Sequence, residues 1–247
     1  KRSQDKRQVV LFNDTFNTYN DPDIAIAATE VLEAAGYEVV LPGHWCCGRP
    51  MVSKGLVKEA RAAALSTTEK LYPLVSKGLP VIGLEPSCIL TLKDEYLSLL
   101  PDDKRVQEIA KAVVTFEEFV AAEIKKGSFP LEFGANAGDV LLHGHCHQKA
   151  LVGTEPSRQT LEKAGYNVDE VDSGCCGMAG SFGYEAEHID ISLAMAERRL
   201  LPAIRATKKD TMIVAAGTSC RAQIMHGSNI KAHHPAQILR SALSDSQ

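Results

Sequence analysis

The tripeptide Cys-Cys-Gly occurs twice, as Cys46-Cys47-Gly48 and Cys175-Cys176-Gly177. Each lies ten residues after a Gly-Tyr pair, Gly36-Tyr37 and Gly165-Tyr166, so both landmarks repeat with an offset of 129 residues. A later cysteine follows at an offset of 132, Cys88 in Pro-Ser-Cys and Cys220 in Thr-Ser-Cys. Six of the seven cysteines therefore fall in a duplicated frame. Thiolates held close together bind soft metals or do redox chemistry.

The second copy is the fuller one. Cys146, Cys175, Cys176 and Cys220 supply four thiols, enough for one [4Fe–4S] cluster; zinc and copper(I) also accept such ligands. Gly177, Gly180 and Gly183 recur at every third position of the loop that follows. That spacing lets backbone come close to a bulky ligand and aim amides at its sulfurs. The first copy has Cys46, Cys47 and Cys88, but Thr15 stands where Cys146 is expected, at an offset of 131. A metal there needs a fourth ligand from His44, Asp14 or outside. Otherwise this half has kept the fold and lost the metal.

His143, His145 and His147 surround Cys146 and, on a strand, would share one face. They read as a zinc site with Cys146, or as one imidazole serving a cluster sulfur or a proton relay with the others structural. Lys149 and Arg221 follow proposed ligands closely, placed either to offset thiolate charge or to form surface ion pairs. Trp45, beside Cys46, reads as core. His233-His234-Pro235 reads as the opening of the terminal helix.

These residues must be carried by strand–helix alternation. Gln8–Phe12, Tyr37–Leu41 and Pro80–Leu84 read as strands in the first half; Asp139–His143, Tyr166–Val171 and Thr211–Gly217 are their counterparts. Helices are expected from Pro22 to about Ala35, Lys54 to Ser76, Glu155 to near Gly165 and Glu185 to Ala206. Pro101 to Gly127 reads as an amphipathic helical connection and Phe129 to Gly138 as a linker. The fold class is α/β. Two lobes related by a pseudo-two-fold axis are expected, residues 1–128 and 129–247. Each is a small parallel sheet flanked by helices, with cysteines at the carboxyl ends of the strands, the edge where such sheets bind ligands.

Composition narrows the classes. The 247 residues are 45% hydrophobic, enough for packed cores. The net charge of −4 argues against nucleic acid as a partner. No apolar run of about 18 residues is present to span a membrane, and no signal peptide is visible. Adjacent cysteines suit a reducing cytoplasm better than a disulfide scaffold. The opening Lys1, within a charged run, reads as the start of an excised piece of a longer protein, or of a processed or trimmed one.

At these residues the chain resembles the cysteine-rich CCG domain family. The carrying segments are Cys46-Cys47-Gly48-Arg49-Pro50, Glu85-Pro86-Ser87-Cys88, His145-Cys146-His147-Gln148-Lys149, Cys175 to Gly183, and Gly217-Thr218-Ser219-Cys220. Leu11 to Phe16 is most similar to the version fused behind a flavin dehydrogenase. The resemblance implies an iron–sulfur electron-transfer module with one [4Fe–4S] cluster on Cys146, Cys175, Cys176 and Cys220. Cys46, Cys47 and Cys88 are a second candidate site. It implies FAD on a partner domain or subunit that oxidises a 2-hydroxyacid such as lactate or glycolate. A ferredoxin-type cluster domain, a quinone or cytochrome acceptor, and a cytoplasmic place at the inner membrane face through partners follow from the same resemblance. The chain departs from the five-cysteine pattern of heterodisulfide reductase relatives: Cys88 and Cys220 lack a Cys-x-x-Cys partner, and the first half lacks its leading cysteine. The alternatives are a thiol/disulfide redox site and a zinc-stabilised interaction domain.

Overall fold

Short apolar strands separated by helices pair in parallel, because each crossover returns the chain to the same end of the sheet. Both sheets of this molecule are parallel throughout. The computed structural model describes residues 7–131, 133 and 138–243. Residues 132 and 134–137 of the expected linker lie outside the described residues. The chain divides into two compact units, one ending at Leu131 and one built from the residues after it.

In the first unit, β1 (Arg7–Phe12) leads through a π turn to α1 (Pro22–Ala34) and β2 (Tyr37–Val40). Then come α2 (Arg49–Ser53), α3 (Val57–Val75), β3 (Val81–Gly83), α4 (Pro86–Lys93), α5 (Glu95–Leu99), α6 (Lys104–Ala112), β4 (Val113–Thr115) and α7 (Phe116–Lys125). The sheet order is β2-β1-β3-β4. Val9 to Phe12 of β1 are all buried, as a parallel strand covered on both faces must be.

In the second unit, β5 (Gly138–His143) is followed by α8 (Cys146–Leu151), α9 (Glu155–Lys163) and β6 (Tyr166–Glu170). Two 3₁₀ turns, α10 (Ile189–Glu197), α11 (Leu200–Arg205), β7 (Met212–Ala215), α12 (Thr218–Ser228) and α13 (Pro235–Ala242) complete it. The order β6-β5-β7 repeats β2-β1-β3. The outer edge of β7 is covered by backbone at His233, which exchanges bonds with Ile213 and Ala215 at 2.8 and 2.9 Å. His234 caps α13 by accepting from the Ala236 amide at 3.0 Å, which is the structural role expected of it.

Four expectations need correction. The helix expected from Lys54 to Ser76 is α3, which starts only at Val57 because Gly55, with φ of 71°, does not fit a helix, and the short α2 before it was not expected. The expected connection from Pro101 to Gly127 contains β4, which pairs with β3 and belongs to the first sheet. Its Val-Val-Thr run is β-branched and prefers the pleated conformation. A short helix, α8, starts at Cys146 directly after the strand. The helix expected from Glu185 to Ala206 breaks at Arg198–Arg199, the residue before α11 leaving helical geometry with φ −148°.

Strand β3 approaches α4 so closely that a Cβ on Gly83 would lie 2.2 Å from the Cβ of Ile89. This contact sets the position of α4, and Cys88 precedes Ile89. Gly83→Ala should therefore destabilise the protein by about 1–3 kcal/mol. Equilibrium urea unfolding checks it, and a wild-type midpoint would contradict it.

Candidate metal centre

The carboxyl ends of β5, β6 and β7 bring the second unit's cysteines together. Cys146 begins α8 just past β5, Cys175 and Cys176 lie in the loop past β6, and Cys220 sits in the first turn of α12 past β7. Their thiols form one chain of contacts: Cys146 with Cys175, Cys175 with Cys176, and Cys176 with Cys220. Cys176 and Cys220 are part of the unit's apolar core with Met178, Leu141 and Ile213, whereas Cys146 is exposed and Cys175 half-buried.

The loop after Cys176 is shaped by its own packing. Gly177 has φ 101°, and a Cβ there would lie 2.1 Å from the Ser192 carbonyl. A Cβ on Gly183 would meet Ser192 Oγ at 2.5 Å and Met178 Sδ at 2.6 Å. Gln223 locks this arrangement by donating to Ser192 O and Oγ, both at 3.0 Å. Gly180 is left-handed as well, and so is Ala179 with φ 41°, a conformation that strains a residue with a Cβ. The turn aims amides at sulfur: Gly177 N–H donates to Cys175 Sγ at 3.3 Å, and the Ala179 amide serves the same sulfur. Residues 177, 180 and 183 thus bear on the thiols by folding the loop tightly against α10.

Charge is shared unevenly along the four thiols. The Cys146 and Cys176 thiols beside Cys175, helped by the two amides, hold it down to about 2 despite burial. Cys176 beside Cys220, with His143 and His145, holds Cys220 well below the usual thiol range against burial. Cys146 and Cys176 are pushed up by their thiolate neighbours and by burial. Thiolates therefore alternate with thiols along the contact chain.

The histidines do not share a strand face, because β5 ends at His143. His145 instead turns its Nδ1 to accept from the His147 amide at 3.2 Å, which caps α8, and His147 lies inside that helix. His143 is buried, with Nδ1 2.9 Å from Ser173 Oγ. Lys149 and Arg221 anchor the surrounding loops. Lys149 Nζ donates to the Ser173 carbonyl, and Arg221 donates to the Ala215 and Ala216 carbonyls at 3.2 and 2.6 Å and to Thr218 Oγ1 at 3.0 Å.

The first unit repeats the geometry with different electrostatics. Gly48 N–H donates to Cys46 Sγ at 3.4 Å, and Cys46, Cys47 and Cys88 form a contact chain. All three are pushed up. Cys47 raises Cys46, with burial. The Cys46 thiol favours a Cys47 thiolate, but Cys88 and burial outweigh it. Cys47 likewise favours a Cys88 thiolate, and burial with the Asp14 and Glu85 carboxylates outweighs that. Asp14 is buried, which raises it to about 6 even though Asn17 donates to it at 2.7 and 3.0 Å. His44 pairs with the Asn13 carbonyl at 3.0 Å. Trp45 is core, edge-on to Phe12 at 5.9 Å.

Sequence reasoning missed Ser173 and the Ala179 amide, and it named Asp14 only as a possible fourth metal ligand, not as one of the two carboxylates, with Glu85, that oppose a Cys88 thiolate. That role was findable, since Asp14 stands 131 residues before His145, in register with it.

The family described as CCG, cysteine-rich domain, matches residues 13–93 and 140–225. One component of the anaerobic glycerol-3-phosphate dehydrogenase of Escherichia coli K12 is 28% identical over 99% of this chain and 61% of its own length. D-2-hydroxyglutarate dehydrogenase of Pseudomonas putida is 27% identical over 96% of this chain and 22% of its own length. Lactate utilization protein A 1 of Bacillus mycoides is 25% identical over 88% of this chain and 90% of its own length. The chain thus spans less than two thirds of the first two relatives.

Cys175 and Cys46 are both half-buried, so charge decides which reacts faster. In metal-free protein, iodoacetamide should label Cys175 at least about tenfold faster than Cys46 near pH 6. The Cys175 rate should stay flat as pH rises while that of Cys46 climbs. Peptide mass mapping reads both, and equal rates would contradict the charge pattern.

Proposed function

The chain belongs to the cysteine-rich CCG domain family, and from that membership we propose that it is the iron–sulfur electron-transfer module of a flavin-linked 2-hydroxyacid dehydrogenase. The observation that carries the reading is the second unit's chain of four thiols at one sheet end, two of them held as thiolates by neighbouring thiols, amides and imidazoles. This soft, partly ionised donor set fits a [4Fe–4S] cluster. When bound, such a cluster supplies one-electron acceptance and donation. Cys146, Cys175, Cys176 and Cys220 would hold it. The Gly177 and Ala179 amides would stabilise sulfur charge, which makes reduction easier. Met178 and the core around Cys176 and Cys220 keep water from the inner side, while exposed Cys146 leaves the outer edge open to exchange electrons.

The names of the relatives support the substrate class: one is a D-2-hydroxyglutarate dehydrogenase and another a lactate utilization protein. Oxidation of the hydroxyacid belongs to a flavin domain or subunit, from which electrons would reach this module directly or through a ferredoxin-type cluster domain. A quinone or cytochrome is the acceptor we assign. Among the described residues, no helix is long and apolar enough to cross a membrane. A place at the inner face of a membrane through partners is part of the same proposal. The thiol/disulfide alternative draws little support from Cys46, Cys47 and Cys88, because thiols pushed toward the protonated form are poor nucleophiles.

Protein purified without oxygen should carry about four irons and four sulfides per chain. Cys175→Ala should lose most of both. Elemental and sulfide analysis with EPR reads the result. Stoichiometric zinc without iron would replace this proposal with the zinc-stabilised domain.

A further inference from the structure

His143 is the last residue of β5 and is only 1% exposed. Its Nδ1 is engaged by Ser173 Oγ, and Ser173 is itself held by Lys149 on its carbonyl. The other ring nitrogen, Nε2, is buried without an oxygen or nitrogen partner among the described residues. The ligand atoms of His143, Cys176 and Cys220 all lie within 4.8 Å of one another. Donors on one tetrahedral ion sit about 3.3–3.8 Å apart, from bond lengths of about 2.0–2.3 Å. A small inward movement would let all three share a metal position.

The hydrogen bond at Nδ1 is what a ligating imidazole uses. With Nδ1–H donated to a hydroxyl, the ring is fixed in rotation and the Nε2 lone pair is left for a metal. The duplication supplies an independent argument. At the common offset of 131, Thr15 takes the place of Cys146 and Phe12 takes the place of His143. Phe12 is fully buried in the core at the end of β1. The half that lacks the fourth thiol also lacks this imidazole, so the two donors are present together or absent together.

We infer that His143 is a nitrogen ligand of the second unit's metal centre, binding through Nε2 beside Cys176 and Cys220. The inference rests on the iron–sulfur reading and extends it. As a donor added to the four thiolates, a neutral imidazole leaves the centre less negative than a thiolate at the same position would, and so at a higher reduction potential, the effect histidine ligands have in Rieske centres. Ser173 is then a positioning residue, acting through the ring.

The test uses protein labelled with ¹⁵N-histidine, reconstituted anaerobically with ferrous iron and sulfide and reduced with dithionite. Pulsed EPR should show a nitrogen coupling of the size a directly bound imidazole gives. His143→Ala should abolish it. Because that variant leaves a cavity and a ligand short, His143→Cys is the second arm. It should keep its iron, lose the nitrogen coupling and move the midpoint potential to more negative values. A wild-type centre with only the weak coupling of a hydrogen-bonded nitrogen would overturn the inference and leave the iron–sulfur reading standing. So would a coupling that survives in His143→Cys. Wild-type protein that takes up no iron and sulfide would overturn both.

Discussion

Sulfurs in mutual contact cannot all be anionic unless positive charge sits among them, and the rest of this structure is arranged around that constraint. Each thiolate raises the proton affinity of the next thiol. In the second unit the result is an alternation, with Cys175 and Cys220 shifted toward the thiolate and Cys146 and Cys176 toward the thiol. A cation or cluster entering the site would displace the two remaining protons. The amides of Gly177 and Ala179 and the imidazoles of His143 and His145 already favour the charged form.

One architecture carries two electrostatic outcomes. The strands β2-β1-β3 and β6-β5-β7 have the same order, and each Cys-Cys-Gly turn has the same amide-to-sulfur bond. What differs is the residue in register at the strand end. His145 caps its helix with an imidazole nitrogen, whereas Asp14 accepts from the Asn17 amide with a carboxylate. The imidazole favours thiolate at Cys220, and the carboxylates of Asp14 and Glu85 oppose it at Cys88. Backbone topology brings the thiols together, and a few polar side chains decide whether they ionise.

Much of this was legible in the sequence because cysteine spacing and glycine stops report on topology directly. The strands ending at Phe12, Gly83, His143 and Ala215 were found to within a residue or two, since each is an apolar run feeding a cysteine or its substitute. Strand β4 escaped because three β-branched residues lay inside a helical pattern, and pairing with β3 outweighed it. Helix α8 escaped because imidazole is an unusual helix cap, which also led the three histidines to be placed on one face. The solitary buried face of His143 and the charge contrast between the units depend on contacts across tens of residues. No local pattern encodes those.

The central proposal is that the second unit's thiols hold the metal, since two of the four favour the thiolate, and that the first unit's, all three pushed toward the protonated form, do not. The direct measurement is the iron content of anaerobically purified protein carrying Cys46→Ala, Cys47→Ala and Cys88→Ala together, with folding checked by circular dichroism. The account predicts wild-type iron per chain. A folded variant with half the wild-type iron or less would contradict it.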